Sequence, residues 1–236
     1  MRKQISDTIR RKVKEAYNGI AQEFDMTRQR EWPEFADFTK YINKNAKILD
    51  LGCGNGRLYR FLKGHNIDYT GLDNSSNLIE KASEDFPEAK FITGDMSELD
   101  FPDCTFNNVF SIASFHHLPG KKLRKKTVNE IHRVLKPGGI AVVMVWNLFQ
   151  KKYIFNLAKA VLSFIFSAGL KYAWNDLWIK WSDNPIKRYY HAFLPKELLN
   201  CFDEKEWQIK EFCFFKKGAR VKFLQSYNIC LIAEKK

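Results

Sequence analysis

Five cysteines, Cys53, Cys104, Cys201, Cys213 and Cys230, are scattered through 236 residues, and no two form a Cys-x-x-Cys pair. The odd count and wide spacing argue against a disulfide framework or a zinc ribbon, so a reducing compartment and no resident metal are expected. Met1 to Lys14 is charged and has no apolar h-region, which reads as the absence of a secretory leader and points to a cytoplasmic location. Internal repeats, low-complexity tracts and a long linker are lacking too. Acidic residues are in short supply: 27 Asp and Glu stand against 39 Lys and Arg, a formal charge of +12. Such a surplus suits a polyanionic partner, either nucleic acid or an anionic membrane surface; a solvated Lys-rich face is the plainer alternative.

What is present suffices for a core. Hydrophobic residues make up 45% of the chain and charged residues 28%, and the length fits one domain carrying an insertion. Residues 1–45 read as helices: Ile9, Val13, Ala16 and Ile20 repeat at helical spacing, and Pro33 suits the first turn of a second helix reaching Tyr41. From Ala46 short apolar runs alternate with helical ones. Strands are expected at Lys47–Leu51, Tyr69–Leu72, Lys90–Thr93, Val109–Ala113 and Ile140–Trp146, with helices at Leu58–Lys63, Ser76–Asp85 and Leu123–Leu135. This alternation predicts an α/β fold with a doubly wound parallel sheet over residues 46–150. Lys136-Pro137-Gly138-Gly139 reads as a turn between helix and buried strand. Residues 151–187 break the pattern and read as an apolar helical insertion or lid. A helix near Pro195–Asn200 and two strands, Trp207–Phe215 and Tyr227–Ala233, complete the segment 188–236.

The chemistry begins at Asp50-Leu51-Gly52-Cys53-Gly54-Asn55-Gly56, a strand followed by a glycine turn and a helix. Its Gly-x-Gly-x-Gly spacing is neither the Gly-x-Gly-x-x-Gly of dinucleotide folds nor a P-loop, and no Lys-Ser/Thr follows, which disfavours nucleoside triphosphate hydrolysis. Asp50 suits a ligand bearing a positive amine. Asp73, with Asn74 beside it, ends the second strand, where a carboxylate accepts from ribose hydroxyls. Asp95-Met96 follows the third strand, where a carboxylate can accept from the exocyclic amine of adenine. Amine, ribose and adenine together describe S-adenosylmethionine. Any one of these aspartates alone is as well read as a turn or cap residue.

On those residues, and on Arg133-Val134-Leu135-Lys136-Pro137-Gly138-Gly139, residues 46–147 resemble a class I S-adenosylmethionine-dependent methyltransferase domain. The resemblance implies a Rossmann-like sheet of seven strands, the last antiparallel, with Ser111 joining Asp50, Gly52, Gly54, Asn55, Gly56, Asp73, Asn74, Asp95 and Met96 around the cofactor. Further stretches narrow it: Tyr17-Asn18-Gly19-Ile20-Ala21 with Thr27-Arg28 and Trp32-Pro33, Ser111 to Leu118 with its His116-His117 pair, Val145-Trp146-Asn147, and Lys187-Arg188-Tyr189-Tyr190-His191. Together these are similar to the eukaryotic-type tRNA wobble-uridine carboxymethyl methyltransferases, which implies a tRNA substrate and, as for those enzymes, a small activator protein.

A carboxylate acceptor is already ionised at neutral pH, so the enzyme has only to hold one oxygen in line with the methyl group. An arginine clamping the other oxygen does this, and Arg28 is the candidate. One of His116 and His117 lines the same pocket, His116 being preferred; Arg188, Tyr189 and His191 would close it from the C-terminal side. Arg10-Arg11-Lys12, Lys121 to Lys126, and Lys216-Lys217 with Arg220 and Lys222 are candidate phosphate contacts. Ile154–Leu170, nearly all apolar and flanked by lysines, is expected to be a packed helix or lid, with contact to a membrane surface as the lesser reading. The competing functions are a methyltransferase of a small or lipid-like acceptor and a non-catalytic cofactor- or RNA-binding module.

Overall fold

The computed structural model describes residues 1–169, 172–182 and 184–236. The chain opens with helix α1 (Lys3–Gly19), which buries Ile9, Val13 and Ala16 along one face, then α2 (Ala21–Thr27) and a 3-10 helix, Pro33–Tyr41, with Pro33 in its first turn. The alternation that follows is β1 (Ala46–Leu51), α3 (Arg57–Leu62), β2 (Ile67–Asp73), α4 (Ser76–Asp85), β3 (Lys90–Thr93), β4 (Phe106–Ile112), α5 (Lys121–Val134) and β5 (Leu135–Trp146). Ser75 caps α4, its hydroxyl accepting from the Leu78 N–H at 3.3 Å. After β5 come α6 (Ile154–Phe166), β6 (Asp176–Trp181), β7 (Asn184–His191), α7 (Pro195–Leu199), β8 (Trp207–Lys216), β9 (Ala219–Arg220) and β10 (Asn228–Lys235).

The main sheet runs β3-β2-β1-β4-β5-β10-β8-β9. Strands β1 to β5 are parallel, while β10 is antiparallel to both β5 and β8. The expected sheet of seven strands is present, extended at its edge by the two-residue β9. Strands β1, β4, β5 and β10 are buried on both faces, which is why they read as nearly continuous apolar runs. Strand order reverses between β1 and β4, the switch point at which open α/β sheets bind ligands beyond their strand ends.

Two local expectations change. Lys136-Pro137-Gly138-Gly139 does not leave the sheet: it is a bulge within β5, between the pairs Phe106–Leu135 and Asn108–Ile140, with Gly138 at φ +73°. The insertion is helical only in its first half. Residues Asp176–Trp181 and Asn184–His191 form a two-stranded antiparallel hairpin. Its aromatic and lysine-rich sequence has no clean two-residue alternation outside Arg188–His191, and the apolar run before it biased the reading toward helix. In α6 only Ala160 is buried, whereas Phe155, Ile165 and Phe166 are 78%, 62% and 86% exposed. No helix among the described residues is long and apolar enough to cross a membrane.

Candidate active site

The ends of β1, β2, β3 and β4 open into one cleft of about 1150 Å³, its mouth included. The glycine turn after β1 forms its floor. Gly52 sits at φ +76°, and a Cβ there would lie 2.2 Å from that of Ser114, so only glycine fits. Gly54 lies under the Phe24 ring, and its N–H donates to Asp73 Oδ2 at 3.0 Å. The N–H of Ser75 donates to Asp73 Oδ1 at 2.9 Å. Burial raises the Asp73 carboxyl, and these N–H groups oppose it. Each of its oxygens keeps a lone pair for a ligand.

Asp50 is 2% exposed and accepts the Tyr69 hydroxyl at 2.7 Å. Burial pushes its carboxyl up to about 7; Tyr69 pulls the other way and nearby Asp73 adds to the rise. Asp95 accepts from the backbone and hydroxyl of Ser97 at 2.8 and 2.6 Å, and is ion-paired with Arg10 of α1. Burial works against its charge, but Ser97 and Arg10 outweigh it and hold the carboxyl low. Asn55 is fully buried; its amide donates to Asp25 Oδ1 at 2.8 Å, tying α2 to the glycine turn, while its Oδ1 meets no donor.

The other half of the cleft is cationic and aromatic. The guanidinium of Arg28, just past α2, lies 4.8 Å from the Trp181 ring centre, and that of Arg188, on β7, lies 4.6 Å from the same ring. Arg57 is close by and donates from Nε to the Arg28 carbonyl at 3.2 Å, fixing that turn. Burial, then the charge of Arg28, pulls Arg57 down to about 10; burial and the charge of Arg188 pull Arg28 down. Among the described residues none of these three arginines is paired with a carboxylate. Buried Nε of Arg188 and Nε1 of Trp181 meet no acceptor.

His117 lines the cleft and His116 does not. His117 Nδ1 lies 2.6 Å from the Tyr189 carbonyl, so Nδ1 carries the proton and Nε2 accepts the Tyr17 hydroxyl at 2.7 Å. Burial pushes the His117 ring down to about 3, and it is neutral near pH 7. His116 faces the interior, with Nδ1 accepting the Trp146 N–H at 3.1 Å. Tyr189 and His191 also point away from the cleft. Because Arg188–His191 is a strand, successive side chains alternate: Arg188 lines the cleft and Tyr190 stacks on Trp146, a cleft-lining ring, while Tyr189 and His191 turn to the opposite side. There both bond Asp176 Oδ1, at 2.5 and 2.8 Å, and His191 Nε2 meets Glu197 at 2.7 Å.

Comparison with known proteins agrees with this geometry. Residues 48–139 match the methyltransferase domain family. An Encephalitozoon cuniculi protein, ECU09_1500, provisionally named a methyltransferase, is 34% identical over 191 residues, 79% of this chain and 83% of its own. The chain belongs to the S-adenosylmethionine-dependent methyltransferases. A tRNA (carboxymethyluridine(34)-5-O)-methyltransferase of Arabidopsis thaliana is 34% identical over 59% of the chain, and its Schizosaccharomyces pombe namesake 32% over 59%. The matched segments span 33% and 59% of those two relatives. Among solved structures, a methyltransferase from Methanosarcina mazei superposes with a TM-score of 0.69 at 22% identity, covering 84% of this chain and 96% of its own. A Haloferax volcanii methyltransferase solved with the Trm112 activator gives 0.66 at 17%, covering 94% and 96%.

The cleft of this methyltransferase fits S-adenosylmethionine, which supplies an electrophilic methyl group when bound. Asp50, Gly52, Gly54, Asn55, Asp73, Asn74, Asp95 and Met96 all line it and are the residues that would hold the cofactor. Gly56 and Ser111 do not: Gly56 packs on Phe86, and Ser111 bonds Ser114, which lines the cleft instead. Arg10, expected to meet phosphate, is turned into the cleft toward Asp95. Arg220 and Lys126 are likewise engaged, with Asp37 and Glu211, and with Glu98. Trp181 was missed because it fell in the stretch read as helix; the signal was its place in the short aromatic run Trp174 to Trp181.

Proposed function

We propose that the chain transfers the methyl group to a carboxylate oxygen of a carboxymethyl group at C5 of the wobble uridine in tRNA. The observation that carries this reading is the set of cleft arginines without a carboxylate partner, Arg28 and Arg188 on the Trp181 ring and Arg57 on the neighbouring Phe24 and Trp32 rings. Burying unpaired cations is unfavourable, so an arrangement that keeps them there suits an anionic ligand. A planar carboxylate matches the guanidinium fork, and the aromatic walls suit a base. Neither Tyr17 nor His117 is disposed as a general base: Tyr17 gives its proton to a ring already neutral and held by Tyr189. A carboxylate acceptor needs no base. The names of the Arabidopsis and fission-yeast relatives point the same way. A requirement for a small activator protein, and a cytoplasmic setting, belong to the same proposal.

A small or lipid-like acceptor finds less support, since no residue of α6 lines the cleft and most of its apolar side chains are exposed. The test is transfer from labelled S-adenosylmethionine to tRNA carrying carboxymethylated uridine, with and without an added activator, followed by nucleoside mass spectrometry. A new uridine methyl ester is expected. Cofactor binding with no labelled nucleoside in either arm would overturn the reading.

A further inference from the structure

Beside the cleft lies a second recess that shares two of its walls. Trp32 and Trp146 line both; Tyr153, Tyr227, Lys152 and Lys217 are among the residues that line only the second. Tyr227 is 40% exposed and Tyr153 half-buried, so both rings keep surface free for stacking. Lys152 Nζ sits 4.7 Å from the centre of the Tyr153 ring, and Lys216 Nζ 5.5 Å from that of Tyr227.

The backbone supplies an independent observation. Lys217 and Gly218, the tight turn between β8 and β9, both have positive φ, +51° and +81°. A two-residue hairpin turn with both residues left-handed favours Asn-Gly, and a lysine in the first place is strained. The turn is held by the Gly218 N–H donating to Glu34 Oε1 at 3.2 Å, and Glu34 is nearly fully buried. The held turn fixes the direction in which Lys217 leaves the backbone. Here it sets an ammonium group on the recess wall. The acidic Glu34 in the same recess repels a phosphate from its interior and leaves it to the lysines.

We propose that this recess binds the base adjacent to the methylated nucleotide in single-stranded RNA, stacked on the aromatic walls, with its phosphate between Lys152 and Lys217. The inference rests on the RNA reading of the neighbouring cleft. The shared walls suit a ligand that runs from one recess to the next, as a dinucleotide does. Aromatic faces with flanking cations are the chemistry by which single strands are held without strong sequence preference.

The test is direct binding, independent of methyl transfer. An RNA trinucleotide that contains 2-aminopurine and lacks the carboxymethyl group is titrated into the 236-residue chain and its fluorescence followed. Quenching by stacking is expected. Tyr153→Ala should weaken binding about tenfold. Lys217→Asn, which creates the favoured Asn-Gly turn, should fold at least as well and lower the slope of log affinity against log salt by about 0.7. Unchanged cofactor affinity shows that both variants are folded. Absence of quenching, or identical affinity and slope in both variants, overturns the recess even if tRNA is methylated. Quenching with the expected losses supports it even if no RNA is methylated, in which case only the acceptor assignment falls.

Discussion

Arg10, on the first helix, is ion-paired across the cleft with Asp95, the carboxylate that follows β3. The pair closes α1 over the site where the adenine amine is expected, and Val13 and Tyr17 of the same helix line that wall. Both side chains are about a third exposed, so the pair itself stabilises the fold only slightly, by about 0.2–1 kcal/mol. With Asp95 Oδ1 already taken by Ser97, Arg10 competes with any ligand amine for Oδ2. Arg10→Gln is therefore expected to lower the melting temperature by only a few degrees and to tighten cofactor binding several-fold. Calorimetry decides it: weaker binding would show that Arg10 holds the cofactor rather than competing with it.

Arg28 and Arg188 should separate stability from turnover. Substituting either by Met removes a cation with no carboxylate partner while keeping part of the apolar contact of its stem, so stability should change little. Arg188, 4% exposed, is the clearer case. Arg188→Met is expected to unfold near the wild-type denaturant concentration, because relief from burying the charge is offset by lost contact with Tyr17, Trp181 and Tyr190, to bind the cofactor normally, and to lose about 10²-fold or more in turnover on the carboxylated RNA. Arg188→Lys should recover little, because a point charge neither forks a carboxylate nor stacks on Trp181. Full turnover in Arg188→Met would remove it from the acceptor site.

These two arginines also show how far the residues spoke before the fold was known. The cofactor half was legible because its signals are local: a glycine turn after a strand, and acids at the ends of β2 and β3. The sheet was legible because β1, β4 and β5 are apolar runs separated by helices with an apolar face, as in α4 and α5. The acceptor half was legible only in part. Arg28 and Arg188 lie 160 positions apart in number, and their common contact, Trp181, belongs to a hairpin that the preceding apolar stretch disguised as helix. Once Arg188–His191 is seen as a strand, alternation assigns Tyr189 and His191 to the far side. The choice between His116 and His117 rests on a 3-10 turn, Phe115–His117, that no periodicity announces.

His191 is expected to act as a positioning residue. Its two ring nitrogens reach Asp176 on β6 and Glu197 on α7, and so join the hairpin that carries Arg188 to the main domain. His191→Leu leaves Asp176, itself buried, with one partner fewer, which should destabilise the protein by about 3 kcal/mol in urea unfolding. A loosened hairpin should raise KM for the RNA acceptor more than it lowers kcat, and leave cofactor affinity unchanged. Equal losses in cofactor and acceptor binding would indicate general unfolding instead.

Asp50 gives the site a pH dependence whose sign can be worked out. Burial, with Asp73 nearby, pushes its carboxyl from 3.8 to about 7, while the Tyr69 hydroxyl resists. In the unfolded chain it ionises near its ordinary value, so between about pH 4 and 7 the unfolded state holds fewer protons than the folded one. The free protein should then lose stability as pH rises through that window. Binding has the opposite trend. A ligand amine beside Asp50 favours the carboxylate, so below pH 7 the cofactor must expel a proton. Its affinity should fall toward tenfold per pH unit there, and level off above. Titrations in buffers of different ionisation enthalpy would show a proton released near pH 6 and none at pH 8. Tyr69→Phe removes the group that resists protonation and should move the midpoint upward; Asp50→Asn should bind weakly at every pH with no proton release. A wild-type affinity that stays flat from pH 5.5 to 8 would place the cofactor amine away from Asp50.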